Sequence, residues 1–134
     1  MTELDKLISK AFASEGKQED VNKVYLSLIR SKLYVPCQQE ETPNSDEPFV
    51  PLFAKIDDKF YMSVFDTYER LLDWAGDKKD QISYVELPGK DLIFGISDTA
   101  YLCLNVGTDY YKEFLPEEIK RLKMIVSRIE QLKP

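Results

Sequence analysis

Two cysteines, clustered carboxylates and eight tyrosines are the side chains of this sequence with chemistry to offer. Histidine is absent. Its absence removes Ser-His-Asp and Cys-His nucleophile arrangements, histidine general bases and His-containing metal sites together. A cysteine becomes reactive when a base, a cation or a helix N-terminus lowers its pKa. Cys37 instead has glutamines and glutamates as sequence neighbours, which reads as an ordinary thiol beside an acidic loop. Cys103 alternates with Leu102 and Leu104 and reads as core. Nothing in the spacing supports a Cys37–Cys103 redox pair. Glu40-Glu41, Asp57-Asp58 and Asp77 to Asp80 lack the alternating ligands, glycine and terminal Glu of a calcium loop, and read as solvated turns. Gly89 and Gly107 stand alone, outside any phosphate-cradling pattern, and Ser63, Ser83 and Ser97 have no nucleophile elbow. No cofactor and no metal is expected.

What remains is surface. Phe60, Tyr61, Met62, Val64 and Phe65 put apolar groups on both faces of one short strand, more than a half-exposed strand requires. Asp109-Tyr110-Tyr111 adds two tyrosines in a loop-like segment. Tyrosine combines a large contact area with a hydroxyl, the profile of an interface anchor. Tyr61, Asp109, Tyr110 and Tyr111 are therefore the expected partner-binding residues, for an unknown protein partner or a homodimer. The plainer alternative closes these rings over the core or under the last helix. Two other functional readings stay open: an enzyme or small-ligand binder using carboxylates and tyrosines near Asn105 to Tyr111, and a secretion-associated protein.

Length and charge narrow the field. The 134 residues are 43% hydrophobic and 12% aromatic, enough for one domain with a real core. An acidic chain of net charge −6 repels phosphate backbones, so nucleic acid is not an expected partner. No apolar run approaches the roughly 20 residues a membrane span needs. The start MTELDKLISK lacks the basic-then-apolar pattern of a signal peptide. With two cysteines far apart, no disulfide scaffold is implied. The expected setting is the cytoplasm.

The elements that position these residues follow from periodicity. Thr2 and Asp5 resemble a capping box opening a helix whose apolar stripe is Leu4, Leu7, Ile8, Ala11 and Phe12, closed by Gly16 in the left-handed position. A second helix over Gln18 to Ser31 turns Val21, Val24, Tyr25, Leu28 and Ile29 inward, and the short link predicts an antiparallel pair. Lys32 to Pro36 reads as a strand stopped by its proline, and Gln38 to Pro48 as a solvated loop. Phe49–Ile56 and Phe60–Phe65 flank a hairpin turn at Asp57-Asp58-Lys59. Asp66 and Thr67 offer caps for a helix over Tyr68 to Ala75, with Leu71, Leu72 and Trp74 inward and Gly76 at its end. Ser83 to Gly107 reads as strand, turn at Pro88-Gly89, short helix from Asp91 to Ser97 and buried strand from Ala100 to Val106, a crossover unit for a mixed sheet. Leu115-Pro116-Glu117-Glu118 opens the longest helix, striped by Ile119, Leu122, Ile125, Val126, Ile129 and Leu132. The expected fold is α+β: a mixed sheet of about five strands covered by helices, with an N-terminal helix pair and a long C-terminal helix.

Four pieces in this order resemble one family. They are Asp20–Leu33 leading into LYVP at Leu33–Pro36; VPLF at Val50–Phe53; VFDTYERLLDWA at Val64–Ala75; and LPGKDLI at Leu87–Ile93 with YLCLNVG at Tyr101–Gly107 and LPEEI at Leu115–Ile119. The family is the SseB N-terminal domain family (enhanced serine sensitivity proteins). Asn105-Val106-Gly107 stands where the family shows Asn-Pro-Gly. The resemblance implies a compact α+β domain of bacterial origin over residues 1–134. It implies no activity, catalytic residue or cofactor.

Overall fold

The computed structural model describes residues 2–38 and 52–132. The loop expected over Gln38–Pro48 and the start of the strand expected from Phe49 lie outside the described residues, except that Gln38 ends a strand. Helices α1 (Glu3–Ala13) and α2 (Gln18–Arg30) open the chain. The Thr2 hydroxyl accepts from the Asp5 N–H while the Asp5 carboxylate accepts from the Thr2 N–H, so the capping box forms as expected. At its other end α1 closes with Glu15 and Gly16 both at positive φ, the Gly16 N–H reaching the Ala11 carbonyl. The inward stripes hold at Leu4, Ile8, Ala11, Val24, Tyr25, Leu28 and Ile29. Phe12 departs from the expectation: it sits at the edge of the helix contact, 57% exposed.

Among the described residues six strands follow, in two sheets. β1 (Lys32–Gln38) pairs antiparallel with β4 (Ile82–Pro88), and β2 (Phe53–Ile56), β3 (Lys59–Val64), β5 (Tyr101–Leu104) and β6 (Lys112–Phe114) form a mixed sheet in the order β2-β3-β5-β6. A bridge between Tyr34 and Phe65 joins the two sheets. β1 runs through Pro36 instead of stopping there, for a geometric reason. Tyr34 exchanges both backbone hydrogen bonds with Phe65, on the side away from β4. Backbone direction alternates along a strand, so residue 36 also turns its nitrogen away from β4, and a proline there costs no ladder bond. Its carbonyl accepts from the Leu52 N–H at 3.0 Å. Cys37 consequently lies inside the strand and is buried, not just past it.

The expected crossover unit at Ser83–Gly107 divides between the sheets. β4 leaves for β1, while β5 lies parallel to β3, and the crossover from β3 to β5 carries α3 (Tyr68–Ala75), a 3₁₀ segment (Gly76–Gln81), β4 and α4 (Gly89–Gly95). Gly89 explains the division. Its N–H donates to the Ser31 carbonyl at 2.7 Å, and a Cβ at this position would stand 1.9 Å from the Leu28 carbonyl oxygen. The end of β4 is thereby held against the end of α2, next to the start of β1. The hairpin turn is two residues, Asp57 and Asp58, both at positive φ, with Lys59 already in β3. β5 stops at Leu104 because Asn105 has φ +58.

Side-chain alternation gives the mixed sheet two different faces. Met62, Val64, Leu102, Leu104 and Phe114 share one face and are buried in the core with α1, α2, α4 and α5 (Pro116–Leu132), whose Ile119, Leu122 and Val126 also enter it. The opposite face belongs to the alternate residues. Trp74 departs from its expected inward place: it packs on the buried Phe65 ring at 5.5 Å yet stays 36% exposed, while Leu71 and Ala75 are the buried members of α3. No helix among the described residues is long and apolar enough to cross a membrane.

Candidate functional site

Residue alternation in β3 and β5 assembles a tyrosine face on the side of the mixed sheet away from the core. Tyr61 lies opposite Tyr101 in the parallel register, and the rings stack with centroids 4.8 Å apart at 28°. Ser63 and Cys103 are the next pair along. Tyr111, between β5 and β6, donates its hydroxyl to Cys103 Sγ at 3.7 Å and remains 39% exposed. Burial, the neighbouring Cys103 and the charge of Glu113 push its phenol above the ordinary range. Lys59 lies over the Tyr101 ring at 5.5 Å. Ile56, opposite Lys59 across the hairpin, extends the surface and is 55% exposed. Around the hairpin edge, Phe53 and Phe60 form an exposed edge-to-face pair at 6.3 Å. The apolar surplus of this strand thus reaches solvent on both faces of the hairpin end, while Met62, Val64 and Phe65 are taken up inside.

Of the four residues expected at the site, Tyr61 and Tyr111 meet on this face. Tyr110 turns elsewhere: its ring covers the Arg70 guanidinium at 5.4 Å. Asp109 is exposed in the turn between β5 and β6, just before the two tyrosines. The residue reading missed Tyr101, although the alternation of Tyr101 and Cys103 with Leu102 and Leu104 already places both on the face opposite those leucines.

Arg70 belongs to a buried ionic cluster that sequence reasoning also missed. Its guanidinium grips Asp5 through two bonds of 2.8 and 2.6 Å and Asp66 through one of 2.7 Å. Thr2 donates its hydroxyl to Asp66 at 2.9 Å, and Asn105 accepts from the Asp66 N–H at 3.2 Å. Burial alone pushes the Asp5 carboxyl up, but Arg70 and the Thr2 backbone N–H outweigh it and hold the carboxyl below the usual range. Every carboxylate in this cluster is already engaged, so it ties the start of α1 to α3 and to the loop after β5. Asn105 Nδ2 is buried with no hydrogen-bond partner. The capping pair Thr2 and Asp5 was the one visible sign of the cluster in the sequence.

The remaining candidates for chemistry are quiet. Burial raises the Cys37 and Cys103 thiols, so neither is poised as a thiolate. Among the described residues no group of three or more Cys, Asp or Glu side chains is arranged to hold a metal ion. Among the described residues three clefts have none of Asn105–Tyr111 in their lining, although Lys112, next in the chain, lines the smallest. One of about 530 Å³ runs between α1, α2 and the start of β1, one of about 350 Å³ lies between α2 and α5, and one of about 140 Å³ sits under Phe12.

The sequence model of the SseB protein N-terminal domain matches residues 4–121. No curated protein and no solved structure is similar enough to the chain to count as a match.

Proposed function

The chain belongs to the SseB protein N-terminal domain family, and on that premise we propose that it is a non-enzymatic protein-interaction module of the bacterial cytoplasm. The observation that carries this reading is the Tyr61–Tyr101 stack with Tyr111 beside it, on a sheet face turned away from the core. Interface anchors are large rings that shed water on contact and still offer a hydroxyl, and such residues dominate binding energy where they cluster. The exposed Ile56 borders the stack with apolar area and Lys59 supplies a cation at its rim, while the Phe53–Phe60 pair lies on the other face of the hairpin. The raised thiols and the fully engaged ionic cluster favour binding over catalysis. The partner is a protein; a second copy of this chain is one candidate.

Site-specific photo-crosslinking in intact cells tests this. A photoreactive residue is placed at 61, 101 or 111, with exposed Asp73 on α3 as control. A discrete adduct at the three tyrosine positions and not at 73 is expected. An adduct of twice the chain's mass identifies self-association. No discrete adduct at any of the three, or equal labelling at 73, removes the proposal.

A further inference from the structure

The helical side of the molecule carries a second surface with different chemistry. Between α2 and α5 runs an apolar groove of about 350 Å³ lined by Leu26, Met124, Ile125 and Ile129, with Arg121 and Arg128 on its rim. Met124 is 70% exposed, an unusual place for a large apolar side chain that nothing in the fold covers. Leu26 also lines the neighbouring cleft on the other flank of α2, where Lys23, Arg30 and Lys32 face the open space. The two clefts therefore share a wall, and five cations border them in a chain whose net charge is −6; Lys32 pairs with Glu86 at 3.7 Å and Lys23 with Glu19, so the three arginines carry the positive character of the strip.

The acids nearby are largely spoken for. Glu118, at one end of α5, accepts from Tyr25 at 2.8 Å and Lys112 at 3.2 Å, and Asp66 is held by Arg70 and Thr2. Glu19 lies within 3.9 Å of Lys23 on the exposed side of α2, and Glu3 is the other acid lining the neighbouring cleft. Arg30, Arg121 and Arg128 project from the surface. A chain that is acidic elsewhere concentrates positive charge around one strip of apolar groove, which is complementarity to an acidic, amphipathic occupant.

We infer that the α2–α5 groove docks an acidic amphipathic helix of a partner protein. Apolar side chains at i, i+3 or i+4 and i+7 enter between Leu26, Met124, Ile125 and Ile129, and carboxylates flanking them meet Arg30, Arg121 and Arg128. A third helix laid into the furrow between two packed helices is the established geometry for such a contact. This surface is separate from the tyrosine face, which lies on the other side of the mixed sheet, so either can fail without the other.

The test is a selection of random 16-residue peptides displayed on phage against the immobilised full chain, counter-selected on an Arg30→Glu/Arg128→Glu variant. Both arginines are exposed, so the fold should survive, and circular dichroism confirms it. A Met124→Ser variant probes the apolar floor independently. Enriched peptides should be acidic, with apolar residues at helical spacing. Each charge reversal should weaken their affinity by about tenfold, and added salt should weaken it further. Enrichment without acidic bias, or binding unchanged in both variants, overturns the inference. So does sedimentation with phosphatidylserine vesicles that is abolished by the same arginine reversal, which assigns the strip to a membrane surface. A doubled mass in light scattering that Arg30→Glu/Arg128→Glu restores to monomer assigns it to a second copy.

Discussion

Asp5 illustrates how much depends on single side chains in this fold. It caps α1 through the Thr2 N–H and pairs with Arg70 from α3, 65 residues away. Asp5→Asn strips Arg70 of its two-bond partner and leaves it Asp66 alone, so the change should destabilise the domain by about 3 kcal/mol in urea unfolding. An Asp5→Asn/Asp66→Asn/Arg70→Met triple variant should recover part of that loss, because it removes all three charges of the cluster together. The pH dependence has a definite sign. A carboxyl held below its ordinary value of 3.8 in the folded state binds fewer protons there than in the unfolded chain. Its contribution is complete above that ordinary value and fades as pH falls through the lowered one. Wild-type stability should therefore decline on acidification below about pH 4, and Asp5→Asn should flatten that limb. An acid limb of unchanged slope in the variant would refute this. The two thiols offer a second check at the same scale. Raised and buried, Cys37 and Cys103 should resist a disulfide reagent in the native protein and react promptly in urea.

At the scale of elements, two junctions set the architecture. Gly89 lets α4 begin against the last turn of α2, and the space is so tight that Gly89→Ala should cost about 3 kcal/mol or prevent folding. A soluble Gly89→Ala variant of native stability would contradict this account of why β4 joins β1. The β2–β3 hairpin tells the opposite story. Asp57 and Asp58 hold positive φ at a turn that favours Asn-Gly, so Asp57→Asn/Asp58→Gly should stabilise by about 0.5–1 kcal/mol. Unchanged thermal unfolding would show that the turn is not under strain.

For the molecule as a whole, the mixed sheet divides labour between its faces. One side is the core, and the other holds the tyrosine stack. Tyr61→Ser with Tyr101→Ser should remove about 0.5–1.5 kcal/mol of ring pairing plus the burial of two half-buried rings and leave the domain folded, while abolishing any adduct formed at position 111. A collapse of the fold instead would assign the rings to stability. Native-state hydrogen exchange should grade along the sheet: slowest at Leu102 to Leu104, where every side chain is buried, and fastest at the exposed end of the hairpin near Ile56.

Most of the helix stripes, with Phe12 and Trp74 the departures, the capping box of α1, the hairpin and the α+β class were legible from sequence, because each rests on spacing within about a dozen residues. The thiols were legible too, since nothing near them in the chain carried positive charge. What only the tertiary structure decided was pairing over distance. Backbone ladders have no sequence code for their partner, so β4 joining β1, β5 lying parallel to β3, and the short edge strand β6 emerged only from packing. The same holds for the candidate surfaces. Tyr61, Tyr101 and Tyr111 meet because three segments converge on one face, and Tyr110 leaves them because Arg70 draws its ring. Periodicity says which side of an element a residue takes; which other elements share that side depends on the three-dimensional arrangement alone.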